Sequence, residues 1–290
     1  MNRLKKIVIF GIGLIGGSLA LALRRAAVAE RIVGVGRSPE NLNRALSLGI
    51  IDEATRDVAA ALQGADLALI AVPVAQTGKV MAQIEPHLGP DTVITDVGST
   101  KQDVLAVAYA YLPKHLSRFV PAHPIAGAEQ SGVAAASADL YLNRNVVVTP
   151  LPQTDPRAVQ LVTEMWQAAG ARVSCMTPER HDEVLATISH LPHVLAYALM
   201  DEVANRPDAE ELMFYAGTGF RDFTRIAGSL PEMWRDICLA NRETLLKQMQ
   251  AYEAQLARMR KLLAEGDGPA LERLFANARN ARNRMVEGKT

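Results

Sequence analysis

Cysteine is scarce in this sequence, which has only Cys175 and Cys238, 63 residues apart. Neither belongs to a C-x-x-C pair and their spacing does not suit a metal site, so the sequence predicts no disulfide framework and no metal centre. Isolated thiols of this kind are typical of a reducing compartment, and we expect both to be buried.

An excess of charge of either sign is also missing, since 31 Lys and Arg residues balance 31 Asp and Glu residues. This balance removes the electrostatic argument for a nucleic acid or an anionic membrane as partner. The uncharged stretch from Ile7 to Leu23 follows Lys5 and Lys6 as in a signal peptide, but four glycines interrupt it and no A-x-A-like cleavage site follows. It is also shorter than the ~20 residues of a membrane-spanning helix. We therefore expect a cytoplasmic protein with no membrane segment.

Glycines cluster where a short apolar run, Ile7 to Phe10, meets a helical pattern. Gly11, Gly13 and Gly16 match G-x-G-x-x-G, the fingerprint of a dinucleotide-binding unit of strand, turn and helix. The first glycine allows the sharp turn, the second lets the backbone approach a pyrophosphate, and the third lets the helix pack close to the strand. Because the positive end of the helix favours phosphates, the predicted cofactor-binding residues of this loop also include Ile12, Leu14 and Ile15.

The choice of cofactor is predicted from the end of the second expected strand, where an Asp or Glu would hold the ribose 2′-hydroxyl of NAD. This chain has Gly36, Arg37 and Ser38 there. No carboxylate repels a 2′-phosphate, and a guanidinium and a hydroxyl can bind one, so NADP is the predicted cofactor. The alternative is that Arg37 is an ordinary loop arginine and that Glu40 serves NAD.

Short β-rich runs alternate with helical stretches up to about Cys175. Continuous apolar runs such as LALIAV indicate strands covered on both faces, and hence a mainly parallel sheet with helices on each side. Ligands bind at the carboxyl ends of the strands in such a sheet, and Val72 lies at one of these ends. The predicted strands are Arg31–Val35, Leu67–Val72, Thr92–Val97, Arg118–Pro121, Asn145–Thr149 and Ala171–Cys175.

After Pro178 the strands stop and the rest of the chain has helical patterns. Pro192 lies inside the first of them and should kink it. From Leu245 to Leu263 apolar residues recur at spacings of four and three, a heptad pattern typical of paired helices, although packing within the helical domain is the alternative. We therefore predict an α/β Rossmann-type dinucleotide-binding domain, residues 1–176, followed by an all-α dimerisation domain, residues 177–290, that joins a homodimer.

Two histidines, a serine and an arginine are the candidates for chemistry. His123 and Ser99 stand at the ends of predicted strands, while His193 and Arg225 lie in the helical half. An imidazole near a nicotinamide can accept a hydroxyl proton while hydride leaves the same carbon, and an arginine can bind a carboxylate. Taken singly, such a histidine is more often a structural hydrogen-bonding group, and such an arginine is usually solvated.

Five segments resemble the prephenate/arogenate dehydrogenases of tyrosine biosynthesis, in the order and spacing of that family and through nearly the whole chain. They are GIGLIGGSLA (11–20), TDVGSTK (95–101), HPIAGAEQSG (123–132), SHLPHVLA (189–196) and GFRDFTRIAGSLPEMWRDI (219–237). Together they are far more specific than the glycine motif alone. The resemblance implies a dinucleotide domain followed by a dimerising helical domain, and a small-molecule substrate, prephenate or arogenate, that loses a hydride and carbon dioxide.

By this resemblance His123 is the catalytic histidine, which binds the C4 hydroxyl of the cyclohexadiene ring, and Ser99 orients that hydroxyl. Arg225 binds a substrate carboxylate, while His193 and Ser189 line the pocket from the helical domain. As His123 takes the hydroxyl proton, C4 gives its hydride to the cofactor, and loss of the ring carboxylate restores an aromatic ring.

Trp234 falls in a segment that the family can bring near the partner subunit's site. Glu129 is a candidate to bind the ammonium group that distinguishes arogenate, or else to hold its own loop through salt bridges. The sequence therefore leaves the preference between prephenate and arogenate open.

Two other functions remain as alternatives. A β-hydroxyacid dehydrogenase or an imine reductase shares the two-domain plan, but would leave the HPIAG and SHLPH segments unexplained. A non-catalytic dimer that senses NADP belongs to another class, and the complete set of His123, Ser99, His193 and Arg225 argues against it.

Overall fold

The computed structural model describes residues 3–128 and 130–288 of the chain. Within them, six strands form a parallel sheet: β1 (Leu4–Phe10), β2 (Ala29–Val35), β3 (Glu53–Thr55), β4 (Leu67–Ile70), β5 (Val93–Asp96) and β6 (Phe119–Val120). Their order across the sheet is β3-β2-β1-β4-β5-β6. The chain builds outward from β1 in both directions, so a crevice opens between the carboxyl ends of β1 and β4, where such folds bind ligands.

Both faces of this sheet are covered, as the continuous apolar runs predict. Ile7 and Ile9 of β1 belong to one buried cluster, whereas Val8 and Phe10 belong to the other. The first face packs on α1 (Leu14–Arg25), α2 (Pro39–Ser47) and α6 (Pro156–Ala168), and the second on α3 (Val58–Leu62), α4 (Thr77–Ile84) and α5 (Gln102–Tyr111). Each large aliphatic side chain buried in this way contributes roughly 1.5–3 kcal/mol.

A second, smaller sheet was not predicted. It contains β7 (Ala122–Pro124), β8 (Asn145–Val148) and β9 (Arg172–Cys175), with β7 antiparallel and β9 parallel to β8. The chain passes from one sheet to the other at Pro121, which has no N–H to extend the ladder of β6. His123, which we expected at the end of a strand, consequently lies in the middle of β7.

Only helices follow β9 among the described residues. They are α7 (Pro178–Leu185), α8 (Leu191–Ala204), α9 (Ala209–Phe214), α10 (Thr218–Thr224), α11 (Pro231–Ala240), α12 (Arg242–Glu265) and α13 (Gly268–Glu287). The predicted fold class, a Rossmann-type sheet followed by helices, is confirmed. The chain divides into two compact units, Met1–Arg242 and Glu243–Thr290, while the functional boundary at residues 176 and 177 stays a prediction.

The kink expected at Pro192 takes the form of a π-helical turn over Ala186–His190, directly before the proline. In a regular α-helix the Pro192 ring would clash with the carbonyl of Ile188 and leave it without a donor. A wider turn at this point relieves the conflict, and such turns occur frequently at functional sites.

The expectation of two buried thiols is wrong. Cys175 is exposed because it ends β9, an edge strand of the smaller sheet, and Cys238 is only half-buried. Over residues 3–128 and 130–288, no group of His, Cys, Asp and Glu side chains could hold a metal ion. No helix in that same part of the chain is long and apolar enough to cross a membrane.

Candidate active site

The loop between β1 and α1 has the backbone that its glycines predict. Gly11 has a φ of +99°, and a Cβ there would overlap the carbonyl of Ala71. A Cβ on Gly16 would overlap the carbonyl of Gly11. Gly13 differs, because no heavy atom of the described residues other than its own and those of its two chain neighbours lies within 4 Å of the position that its Cβ would take. Two glycines are therefore needed for packing, whereas Gly13 leaves an open surface beside the backbone.

Two side chains hold the carbonyl groups of this loop. Asn41 donates to the carbonyl of Ile12 at 2.6 Å, and the buried Tyr141 donates to the carbonyl of Ile15 at 2.6 Å. The N-terminal end of α1 has no side-chain cap and no acidic residue in its first turn. Its N–H groups and partial positive charge are thus free for an anion. With the open surface at Gly13, this arrangement fits the pyrophosphate of a dinucleotide.

At the end of β2, Arg37, Ser38 and Glu40 are all exposed. Ser38 accepts a hydrogen bond from the Asn41 N–H at 3.1 Å and so caps α2. Its hydroxyl donates to a Glu40 oxygen at 2.7 Å, and this hydrogen bond lowers the pKa of Glu40. A guanidinium and a carboxylate therefore both lie beside the end of β2, where dinucleotide-binding folds hold the cofactor ribose. Val72 is half-buried at the carboxyl end of β4, next to Gly11.

A chain of hydrogen bonds leads inward from His123. Its Nδ1 lies 2.8 Å from Nε2 of His181, and Nδ1 of His181 lies 2.8 Å from Oδ1 of Asp182. Burial, followed by the influence of His181, Lys101 and His190, holds the pKa of His123 well below its usual value. The imidazole is therefore neutral at neutral pH, as a proton acceptor must be.

Asp182 lies at the inner end of this chain. Burial acts to raise its pKa, but hydrogen bonds from His181 and from the backbone N–H groups of Gln102 and Lys101 outweigh that effect and lower it. The two backbone contacts measure 2.9 and 2.8 Å. Asp182 thereby joins α7 to the start of α5, and it stays ionised.

A second buried carboxylate, Asp96, ends β5. The ammonium of the fully buried Lys101 lies 2.5 Å from its Oδ2, and the N–H of Gly98 donates to the same oxygen at 2.7 Å. The N–H of Ala122, which precedes His123, donates to Oδ1 at 3.2 Å. Asp96 thus fixes the turn that carries Ser99 next to the strand that carries His123.

His190 contacts the same group of residues from the π-helical turn. The side-chain amide of Asn241 lies 2.8 Å from the Asp182 carbonyl and 3.2 Å from Nδ1 of His190. Nine residues of regular α-helix would put His181 and His190 on opposite faces, since each residue turns about 100°. The extra residue of the π turn rotates His190 toward the side of His181. Burial lowers the pKa of His190 to about 4.

His193 and Trp234 form the other side of the site. Their rings are stacked, with centroids 3.6 Å apart, and Trp234 also meets the edge of His190 at 6.1 Å. Nδ1 of His193 lies 2.8 Å from the Ser189 carbonyl. Arg225, in the short 3-10 turn Arg225–Gly228, is close enough to lower the pKa of His193, although burial is the larger cause.

The structure thus brings together most of the residues predicted for the substrate. His190 links the group around His123 to the group formed by His193, Trp234 and Arg225. Glu129 lies outside the described residues. The buried partners of these residues were not predicted: Asp96, Lys101, His181, Asp182, His190 and Asn241.

One signal in the sequence could have found part of that set. His181 and Asp182 are adjacent at the start of the first helix after the sheets, and four of the six histidines, His123, His181, His190 and His193, belong to the site. Such a concentration of imidazoles in two segments indicates a functional site better than any single histidine does.

Comparisons with known proteins agree along nearly the whole chain. Residues 19–175 match the family described as prephenate dehydrogenase, nucleotide-binding domain, and residues 177–277 match its dimerization domain. A cyclohexadienyl dehydrogenase from Zymomonas mobilis is 37% identical over 284 residues, covering 97% of this chain and 96% of that protein.

Two solved structures are similar over nearly their full length. Prephenate dehydrogenase from A. aeolicus, in complex with hydroxyphenyl propionate and NAD+, has a TM-score of 0.88 and 36% identity and covers 98% of both chains. Arogenate dehydrogenase from Synechocystis has a TM-score of 0.83 and 31% identity, covering 97% of this chain and 99% of the other. With the dinucleotide loop and the group around His123 in place, the chain belongs to the prephenate dehydrogenase family.

Proposed function

We propose that this protein oxidises and decarboxylates prephenate, arogenate or both, to 4-hydroxyphenylpyruvate or tyrosine, with hydride transfer to NADP. The observation that carries the proposal is the position of His123. Its Nδ1 is occupied by His181, its pKa is held well below the usual value, and it lies on β7 directly after Ala122, whose N–H contacts Asp96 at the carboxyl end of β5. A neutral imidazole with one free nitrogen suits removal of a hydroxyl proton.

His123 accepts the proton of the C4 hydroxyl at Nε2, and Ser99, on the turn after β5, orients that hydroxyl. A bound nicotinamide supplies the acceptor for the hydride from C4. The ring carboxylate then leaves as carbon dioxide, and the electron pair of the broken bond completes the aromatic ring. Because aromaticity is gained, this step drives the reaction in one direction.

Arg225 binds a carboxylate of the substrate, for which a planar guanidinium is well suited. His193 offers its Nε2 to the substrate, since its Nδ1 is bound to the Ser189 carbonyl. Trp234 stacks on His193 and keeps that ring in place. Glu129 remains the candidate for the ammonium of arogenate, and Glu129→Gln should then reduce arogenate turnover far more than prephenate turnover. Equal losses with the two substrates would exclude that role.

NADP is proposed because Arg37 follows β2 where NAD-specific proteins have a carboxylate. Glu40 is the competing feature, since it lies beside Ser38 and could hold a ribose hydroxyl. If Arg37 binds the 2′-phosphate, Arg37→Ala should raise the KM for NADP roughly tenfold, the value of one charge-assisted hydrogen bond, and leave the KM for NAD unchanged. Glu40→Gln is the matched variant, and should raise only the KM for NAD if Glu40 holds the ribose.

A homodimer is proposed through the second compact unit. Tyr252, Leu256 and Leu263 of α12 repeat with heptad spacing and are 36%, 46% and 65% exposed. Exposed apolar residues in one line along a helix favour pairing with another helix. Sedimentation equilibrium measures the mass, and Leu256→Glu should produce monomers if this face joins the two subunits.

The proposed function is tested by initial rates with prephenate and arogenate, each with NADP and NAD, on one preparation. We expect turnover in at least one pairing, with NADP faster than NAD. His123→Asn should lose most turnover yet bind the cofactor normally. A faster NAD rate would reverse only the choice of cofactor. No turnover in any pairing would overturn the proposal and favour an NADP sensor.

A further inference from the structure

Asp182 determines which nitrogens of two neighbouring histidines carry protons. An ionised carboxylate can only accept, so the 2.8 Å contact requires a proton on Nδ1 of His181. Burial lowers the pKa of His181, so that ring is neutral and its Nε2 has a lone pair. The 2.8 Å contact between this Nε2 and His123 then requires a proton on Nδ1 of His123. Nε2 of His123 is left unprotonated.

We propose that His181 and Asp182 are positioning residues, which hold His123 as its Nδ1–H tautomer and store the proton that it takes from the substrate. The proposal rests on the proposed function, because it concerns the proton acceptor of that reaction. Neither residue touches the substrate in this scheme, and both act through His123.

The stored proton follows a balanced path. The O–H bond of the substrate breaks as an N–H bond forms at Nε2 of His123, and the proton on Nδ1 of His123 passes to Nε2 of His181. His181 is then the cation, and its other N–H still donates to Asp182. When the ring carboxylate has left as carbon dioxide, the oxygen has gained an electron pair and the proton returns to it by the same path. No further reactant is needed.

The distribution of charge explains why the cation would settle on His181. Lys101 is neutralised by Asp96, at 2.5 Å. Asp182 instead accepts from neutral donors, namely two backbone N–H groups, the Gln102 amide and His181. His181 and Asp182 are both almost fully buried. A carboxylate attracts an imidazolium far more strongly in such surroundings than in water.

The first test needs no substrate, and so separates this proposal from the proposed function. ¹⁵N NMR spectra of the full-length protein, with His123 assigned by comparison with His123→Asn, identify the protonated ring nitrogen. We expect a proton on Nδ1 and none on Nε2 at neutral pH. A proton on Nε2 instead would overturn the tautomer assignment.

The second test is kinetic. Asp182→Asn should lower kcat at least 100-fold while changing the KM for substrate and cofactor by less than about threefold, because a neutral amide neither fixes the His181 tautomer nor stabilises its cation. Glu183→Gln, which changes the next residue, an exposed carboxylate, is the matched control and should keep wild-type rates. A kcat within threefold of wild type in a folded Asp182→Asn protein would contradict the proposal.

A pH profile distinguishes positioning from a loss of structure. The titratable and charged groups around His123 are His181, Lys101 and His190, with Asp96 and Asp182 behind them. Removing the charge of Asp182 disfavours a cation on the two rings, so the acid limb of kcat/KM should move to lower pH in Asp182→Asn. If the acid limb of kcat/KM lay at the same pH in Asp182→Asn as in the wild type, storage of the proton beside Asp182 would be refuted.

His181→Gln separates the two parts of the proposal. Its amide oxygen can still accept from Nδ1 of His123, but it cannot store a proton. We expect the His123 tautomer to remain and kcat to fall at least tenfold. A wild-type kcat in this variant would exclude storage of the proton on His181.

Discussion

The imidazole of His193 lies flat against the indole of Trp234, with their planes 19° from parallel and their centroids 3.6 Å apart. The same imidazole is held at Nδ1 by the Ser189 carbonyl, and burial lowers its pKa, so it is neutral. Two independent contacts therefore orient one ring, and Nε2 is the atom that it can present to a ligand.

Trp234→Ala should loosen this ring. A stacked aromatic pair contributes about 0.5–1.5 kcal/mol, so we expect the KM for substrate to rise roughly two- to tenfold, with a smaller change in kcat. Trp234→Phe keeps an aromatic face and is the matched control. Because Trp234 is only 8% exposed, the alanine variant also loses stability, and its fold must be checked by circular dichroism at the assay temperature. An unchanged KM would show that the stack does not orient His193 for binding.

Most of the parallel sheet could be predicted because five of its six strands have strong local patterns, whereas the three-residue β3 was not predicted. The run LALI is buried on both faces as β4, and the glycine loop has the turn that its spacing implies. Boundaries moved by one to three residues. The smaller sheet could not be predicted, because it depends on two features without a local pattern. Pro121 ends the ladder of β6, and β7 then pairs with β8, which lies more than twenty residues later in the chain.

The site was predictable only in part, for a related reason. Motifs located His123 and His193, which stand in recognisable segments of the chain. The residues that set the chemical state of His123, such as Asp182 and Lys101, act through contacts that span sequence separations of 58 to 81 residues or through burial. Neither property can be derived from a local pattern, and a fully buried lysine runs against the usual preference of that side chain.

Gly13 and Gly16 give a matched pair of variants for the cofactor loop. Gly13→Ala should fold normally because its Cβ would meet no described residue within 4 Å apart from its two chain neighbours. It should nevertheless weaken NADP binding, because the methyl group occupies the surface where a pyrophosphate approaches. Gly16→Ala should instead lower stability, since its Cβ would overlap the Gly11 carbonyl. Fluorescence titration with NADP and urea unfolding measure the two effects. A Gly13→Ala protein with unchanged NADP affinity would place the pyrophosphate elsewhere.

Lys101 and Asp96 form a buried ion pair, and removing one partner should be costly. Lys101→Met leaves the Asp96 carboxylate buried without its cation, for which we expect a loss of about 3–5 kcal/mol in the free energy of unfolding. Arg180→Met breaks the exposed pair with Glu183 and should cost less than about 1 kcal/mol. Urea unfolding of both variants gives the comparison. If both variants lost the same small amount of unfolding free energy, another group would have to compensate the Asp96 charge in the absence of Lys101.

His190 should make stability depend on pH. Burial lowers its pKa to about 4 in the folded protein, whereas the unfolded chain has the ordinary value near ~6.5. The unfolded chain therefore binds the extra proton between these values, so the stability that neutral His190 contributes is present above pH ~6.5 and is lost as the pH falls toward 4. From about pH 7.5 to about pH 5 this loss amounts to roughly 2 kcal/mol.

His190→Gln removes the titrating ring but keeps an acceptor for the Asn241 amide, which contacts Nδ1 in the wild type. Urea unfolding at the two pH values should therefore show a loss about 2 kcal/mol smaller in His190→Gln than in the wild type, while the other buried histidines contribute equally to both proteins. His87→Gln changes an exposed histidine and should behave like the wild type. If His190→Gln lost as much stability as the wild type, the pKa of His190 would have to lie near its ordinary value, and burial would not keep this ring neutral.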